Sequence, residues 1–308
     1  MVKNATSCGR VLGLHFDKNN ALFALDASQG LFKVDITKGT KQLVSFGPHV
    51  PSSLKGLFND FVFDPELEDV VYITVTSSRW SMDKIIWAIL EGDSSGFILS
   101  LNLKTGKLVK ILDNLVFVNG ITVSLDKKNL LISETGLERV LKVPLIQARD
   151  AAEKGAKIAN PSVLIENLPG KPDNIRIINN ELVIAIPLGK ENFTLLDKLI
   201  AFPLFRKSLA RAAHLASRFI RYINTKFFNS PCLQKTEVDL TNGHFFLKFL
   251  PSSANLVFAD SLTGKVKKSY KFEQDGFSEA HIDPVTGDLY LASFKNHFIG
   301  HVKSKDLK

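Results

Sequence analysis

Cysteine is nearly missing from this 308-residue chain, which has only Cys8 and Cys232. Two cysteines cannot build a disulfide framework; they form one bridge or stay as two thiols. There is no C-x-x-C pair and no Cys/His cluster at zinc spacing, which excludes zinc-finger and dithiol redox chemistry. No apolar run reaches the roughly 18 residues that a spanning helix needs. The first residues, MVKNATSCGR, lack the apolar core of a signal peptide. No G-x-S-x-G nucleophile elbow is read from the chain, so a serine hydrolase is disfavoured. Methionine and tryptophan number 2 each against 23 phenylalanines, so aromatic and aliphatic packing must fill the interior.

What is present is a globular balance, with 45% hydrophobic and 23% charged residues. That is enough to bury a large core, and residues 1–308 are read as a single domain. The net charge of +8 is unevenly spread. Residues 195–228 hold Lys198, Arg206, Lys207, Arg211, Arg218, Arg221 and Lys226 against one acid, Asp197. Any question about an anionic partner is therefore a question about this segment. Two sequons make Asn4 and Asn192 candidate glycosylation sites.

Most of the chain reads as short strands between turns. The polar turns FDKNN, FDPELED, LDKKN, INNE and DPVTGD each precede a strongly apolar run: ALFAL, VVYIT, LLISE, LVIAI and LYLAS. A unit of several strands recurring at roughly 45 to 55 residues is the signature of a β-propeller. The expected fold class is all-β.

One segment, near 193–228, departs from the cadence and reads as a helical insertion. Leu209, Ala213, Ala216, Ile220, Ile223 and Phe227 recur at spacings of three and four, with Lys207, Arg211 and Arg218 on the opposite face. Such a helix packs on the propeller with a solvated basic face, caps a substrate site, or lies on an anionic membrane through Arg211, Arg218 and Arg221. Nucleic-acid binding is not expected, because the basic residues lie on one helix without an aromatic stacking platform.

The starts of the units carry a second pattern: FND at 58–60, VNG at 118–120 and PDN at 172–174. The first strand of each propeller blade lines the central channel. Equivalent positions then converge near the axis, bringing together Asn59, Asn119, Asp173 and Asn174. Amide oxygens with one carboxylate suit Ca²⁺, a hard cation that takes 6 to 8 oxygens. The alternative is four turn residues that bond their own backbone.

These stretches, with CGRVLGL (8–14), EGDSSGFIL (91–99), ISETGLERVLKV (132–143) and ENLPGKPDNIR (166–176), resemble the strictosidine synthase-like family over essentially the whole chain. The resemblance implies a six-bladed propeller with calcium near its axis, bound by Asn59, Asn119, Asp173 and Asn174. It implies kinship with paraoxonase-type lactonases and arylesterases, and a secretory-pathway, endoplasmic reticulum or plasma membrane location. CGRVLGL belongs to the family's second blade, so about five blades are expected here, without the first blade, its glutamate ligand or a membrane anchor. The family's condensation glutamate aligns at or beside Ser278, next to Glu279, which disfavours alkaloid condensation.

The resulting expectation is a calcium-dependent hydrolase of arylesterase or lactonase type acting on a small ester or lactone. Asp173 would orient or activate water or act as nucleophile, with Glu279 as a secondary base. The competing expectation is a non-catalytic membrane-associated propeller scaffold.

Overall fold

The structure, a computed structural model, describes residues 9–45, 50–190, 202–249, 253–274 and 276–307. Five antiparallel sheets follow one another along the chain. The first contains β1 (Val11–Phe16), β2 (Leu22–Asp26), β3 (Gly30–Asp35) and β4 (Thr40–Ser45). The second contains β5 (Phe58–Phe63), β6 (Val70–Val75), β7 (Gly96–Asn102) and β8 (Leu108–Leu115). The third contains β9 (Val118–Val123), β10 (Asn129–Glu134), β11 (Arg139–Pro144) and β12 (Ser162–Ile165). A two-stranded pair, β13 (Gly170–Lys171) with β16 (Leu188–Gly189), flanks the fourth sheet of β14 (Ile175–Ile178), β15 (Glu181–Ile186), β17 (Ala254–Ala259) and β18 (Val266–Phe272). The last has three strands, β19 (Phe277–Ile282), β20 (Leu289–Ser293) and β21 (Gly300–Val302). The innermost strands β1, β5, β9, β14 and β19 pack side by side in that order. This is a β-propeller with five blades among the described residues.

Local chemistry sets the repeat. The five predicted apolar runs are the second strands β2, β6, β10, β15 and β20. An aspartate begins several of the turns before them. Asp17 Oδ1 accepts the amides of Asn19 and Ala21, Asp64 Oδ1 those of Glu66 and Leu67, and Asp283 Oδ1 those of Val285 and Thr286. The fourth blade instead turns at Asn179 and Asn180, both at positive φ, as a tight hairpin of primed type requires. Each second strand is apolar at successive positions because both its faces are covered. In β6, Val71, Ile73 and Val75 join Phe58, Phe61 and Phe97 in a cluster shared with the first blade, whereas Tyr72 joins a cluster shared with the third. Two further clusters fill the gaps between blades three and four and between four and five.

A hydrogen bond links the segments beside the first and last blades. Arg10 Nη2, just before β1, donates to the carbonyl of Phe294, just after β20, at 3.0 Å. His15 of β1 packs edge-on against Phe61 of the second blade. Leu14 and Phe16 point away from that contact and remain exposed.

Among the described residues four α-helices interrupt the sheets: α1 (Ile85–Glu91), α2 (Leu145–Lys154), α3 (Pro203–Ile223) and α4 (Pro231–Asn242). The sequence reading anticipated only α3. The insertion also extends past the expected 193–228, because α4 and a 3₁₀ segment at His244–Phe249 follow a π-helical turn at Asn224–Phe228. Gly243 at positive φ closes α4, the stop signal for a helix that the alternating-strand reading passed over. Helix α1 leaves the second blade between β6 and β7, and the insertion leaves the fourth between β16 and β17. Both excursions start from the edge of the ring where the innermost strands begin. There Ala210 and Ala213 of α3 pack on Trp87 and Leu90 of α1, and Trp87 Nε1 donates to the carbonyl of Thr241 in α4 at 2.9 Å.

Candidate functional site in the central channel

The innermost strands enter the channel through irregular backbone. Register shifts interrupt β1 between Val11 and Gly13, β5 between Phe58 and Phe61, β9 between Val118 and Ile121, and β19 between Phe277 and Glu279. A bulge puts two residues opposite one and re-aims their side chains. Asn59 and Asp60 lie within the second of these, and Asn119 and Gly120 within the third.

At the mouth, Asn59 donates its Nδ2 to Thr76 Oγ1 at 2.9 Å, and that hydroxyl donates to the carbonyl of Val118 at 2.8 Å. Asp173 and Asn174 precede β14 and are held by their backbones. Asp173 N donates to Ala185 O at 2.8 Å, Ser133 Oγ donates to Asp173 O at 2.6 Å, and Asn174 N donates to Ser278 O at 3.2 Å. The side-chain oxygens Oδ1 of Asn119 and Asn174 are buried, and neither has a hydrogen-bond partner among the described residues. A buried acceptor without a partner costs free energy and calls for a donor or a cation. Burial pushes the Asp173 carboxyl up to about 7, helped by the negative charges of Glu279 and Asp60 and opposed by a hydrogen bond from Asn119 and the charge of Arg176.

Below this layer lies a denser one. Asp60 is fully buried and touches groups from three other blades. Arg176 of β14 reaches its Oδ2 at 2.7 Å, His15 Nε2 of β1 lies 3.1 Å from Oδ1, and the amide of Ile121 in β9 donates to Oδ2 at 3.0 Å. Arg176 Nη2 also donates to Glu279 Oε2 of β19 at 2.6 Å, so this network draws on all five blades. Burial alone would raise the Asp60 carboxyl, but Arg176 and His15 hold it well below the usual carboxylate range. Burial raises Glu279, with Arg176 pulling it down and Asp60 pushing it up. Arg176 loses solvation by burial, yet the two carboxylates keep it more firmly protonated than a free arginine.

The structure therefore brings Asn119, Asp173 and Asn174 together at the channel mouth, with Asn59 beside them through the Thr76–Val118 link. It holds Glu279 in an ion pair with Arg176. Sequence reasoning missed Asp60, Arg176 and His15. The signal was there for one of them: Arg176 stands two residues beyond Asn174, on the same face of a strand. Asn4, Asn192 and Cys8 lie outside the described residues, while Cys232 is an exposed free thiol. Gly92-Asp93-Ser94-Ser95-Gly96 does fit G-x-S-x-G spacing, contrary to the sequence reading. It joins a helix to a strand, the reverse of a nucleophile elbow, and its motif serine, Ser94, is exposed.

Oxygen donors dominate the mouth. Among the described residues no group of three His, Cys, Asp or Glu gathers as metal ligands, so a cation here would rest on amide oxygens and one carboxylate. Two orphaned amide oxygens beside an un-neutralised carboxyl fit a hard cation such as Ca²⁺. The cradle depends on Gly120. A Cβ there would lie 2.7 Å from Asn174 Cα and 2.9 Å from Asp173 O. Gly120→Ala is expected to lower stability by about 1–3 kcal/mol and to weaken calcium binding by displacing Asp173 and Asn174. Urea denaturation with and without calcium measures both effects.

The profile of the strictosidine synthase family matches residues 60–148. Adipocyte plasma membrane-associated protein from Danio rerio is 29% identical over 301 residues, covering 95% of this chain and 63% of the relative. The same-named protein from Rattus norvegicus is 28% identical over 95% of this chain and 69% of its own length. The Drosophila melanogaster relative, named Hemomucin, is 28% identical over 98% of this chain and 51% of its length. The chain thus spans a little under two thirds of the Danio rerio relative's length. A gluconolactonase from Xanthomonas campestris superposes with a TM-score of 0.53 at 12% identity, over 92% of this chain and 69% of its own. Regucalcin, a calcium-binding protein from Agrobacterium tumefaciens, gives 0.50 at 14% identity, over 92% and 68%. These structures share the propeller fold. No helix among the described residues is long and apolar enough to cross a membrane.

Proposed function

We propose that the chain, which matches the strictosidine synthase profile over residues 60–148 and is similar to adipocyte plasma membrane-associated proteins, is a calcium-dependent hydrolase of small carboxylic esters or lactones. The observation that carries this reading is the pair of partnerless buried oxygens, Asn119 Oδ1 and Asn174 Oδ1, beside Asp173 at the mouth of a propeller channel. Asn59, Asn119, Asp173 and Asn174 would hold the ion. Bound Ca²⁺ supplies a Lewis acid for an ester carbonyl and a counter-charge for the developing oxyanion. Two structural neighbours carry a calcium-binding and a lactonase name on the same fold, which supports the choice of ion and reaction class.

Asp173 is the one carboxylate of the mouth that no ion pair holds among the described residues. In the metal-free channel burial pushes its carboxyl up to about 7; a bound cation would favour its ionised form, which can accept a proton from water. Glu279, gripped by Arg176 at 2.6 Å, positions that arginine instead of meeting substrate. Gly120, lacking a side chain, lets the backbone of Asp173 and Asn174 close in beside Asn119.

Hydrolysis of phenyl acetate and of a γ-lactone, with calcium and with chelator, tests the reading. Turnover is expected to require calcium and to fall roughly 100-fold or more in Asp173→Ala and markedly in Asn119→Ala. Turnover indifferent to chelator and to both substitutions would exclude the calcium mechanism. No turnover at all, with tight calcium binding retained, would assign the channel a binding role.

A further inference from the structure

Helix α3 has two apolar faces, and among the described residues only one is covered. Its inner face is made of small residues: Ala210, Ala213 and Ser217 are buried, and the two alanines lie against Trp87 and Leu90. The outer face is the unexpected one. Leu204, Leu215, Phe219 and Tyr222 are 81%, 66%, 64% and 56% exposed. Leu204, Leu215 and Tyr222, at intervals of eleven and seven, project within about 20° of one another, with Phe219 alongside. Lys207, Arg211 and Arg218 run along the other flank of this stripe and are exposed. The π-helical turn that follows adds exposed Phe227, Phe228 and Lys226.

The charge on this surface has one sign. No acidic residue occurs between Asp197 and Glu237. Glu237 itself is turned inward, where its Oε1 accepts from Arg221 Nε at 3.1 Å and from Thr241 Oγ1 at 3.1 Å. Arg221, expected at the partner surface, is therefore engaged in fastening α3 to α4, and the outward charge comes from Lys207, Arg211, Arg218 and Lys226. Large aliphatic and aromatic side chains left in water cost free energy unless something covers them. A continuous apolar stripe edged only by cations, with no acid among them, complements an anionic lipid surface. The apolar groups enter the acyl boundary, and the arginines and lysines reach the phosphates.

We infer that the outer face of α3 and the turn after it form an interfacial docking surface for an anionic bilayer. The insertion leaves the propeller at the edge where Asp173 and Asn174 enter the channel. The inference is independent of any hydrolase activity, and its test reads binding alone.

The test uses the full chain with vesicles of phosphatidylcholine alone and with about one third phosphatidylserine, in chelator so that calcium bridges play no part. Sedimentation is expected to show binding to the anionic vesicles and little to the neutral ones. Arg211→Glu with Arg218→Glu is expected to weaken it roughly 30-fold or more, and Leu215→Ser with Phe219→Ser to weaken it at unchanged charge. Tyr222→Trp supplies a reporter on the exposed stripe, whose emission is expected to shift to the blue on anionic vesicles. Unchanged melting curves in these surface variants confirm that the fold persists. Absence of vesicle binding by the wild-type chain, or binding that ignores all these substitutions, would overturn the inference. So would self-association in the ultracentrifuge that the same substitutions abolish, because the stripe would then belong to a second copy of the chain.

Discussion

In calcium-free protein, Asp173→Asn is expected to raise the melting temperature at pH 8 by roughly 3–6 °C, and to change it little near pH 4. The sign follows from where the proton goes. In the unfolded chain this carboxyl ionises near 3.8, and in the channel near 7. Between those values the folded protein holds a proton that the unfolded chain has released. Stability is therefore lost as pH rises through that window, and the full loss is present above it. The displacement from 3.8 to about 7 corresponds to at most about 4 kcal/mol. Water reaching the half-buried side chain reduces that figure. Asparagine keeps the shape and carries no such penalty. Saturating calcium is expected to reverse the order at pH 8, since a bound cation stabilises the ionised carboxylate and the folded state with it. The calcium-dependent rise in wild-type melting temperature is expected to shrink below pH 7, as protons compete for Asp173. Scanning calorimetry of both proteins across pH 4–8, with calcium and with chelator, measures all three effects. Equal melting temperatures at pH 4 and pH 8 would mean that Asp173 is already neutralised by another group.

Arg176→Met is expected to be the most damaging single substitution in the channel, at about 3–5 kcal/mol. Arg176 is the shared counter-charge of Asp60 and Glu279, at 2.7 and 2.6 Å. Without it Asp60 keeps only His15 and the Ile121 amide, and two carboxylates face each other inside the protein. The wild-type Asp60 carboxyl lies below its unfolded value. Its contribution is present above pH 3.8 and is lost only as pH falls through the folded value. In Arg176→Met the displacement reverses, so the variant is expected to gain stability relative to wild type as pH is lowered from 8 to 5. Adding Asp60→Asn is expected to recover a substantial part of the loss, because it removes the stranded charge. Urea unfolding at two pH values reads these differences. An Arg176→Met protein as stable as wild type at both would show that the network carries little free energy.

Much of this fold was readable from linear pattern, and the reasons are local. An aspartate turn before a five-residue apolar run is built from neighbours in sequence, so ALFAL, VVYIT, LLISE, LVIAI and LYLAS located the second strands. Asn59, Asn119, Asp173 and Asn174 were found because they repeat with the blades. Helices α1 and α4 were not found: IIWAILE is as apolar as a strand, and PCLQKTEVDLTN lacks a strong face. Asp60 was hidden by the bulge in β5, which lets adjacent residues both serve the channel and breaks the alternation that a sequence reading assumes. Its partners His15, Arg176 and the Ile121 amide come from three other blades, and nothing local to any of them announces the others. The outer stripe of α3 escaped because the inner face of small residues satisfied the expected helical period.

Trp87 makes a contact that sets a schedule. Its indole donates to Thr241, a residue 154 positions further along the chain. Until that residue has been synthesised, the second blade's helix has no partner for its indole and little cover for its apolar side. At about 5–20 residues per second, the nascent chain would present this uncovered tryptophan for roughly ten seconds or more. The second blade can assemble during that time, but the packing of α1 on α3 and α4 cannot. That packing belongs to the last stages of folding, and a chain stopped short of Thr241 would leave the ribosome with that sticky surface still open.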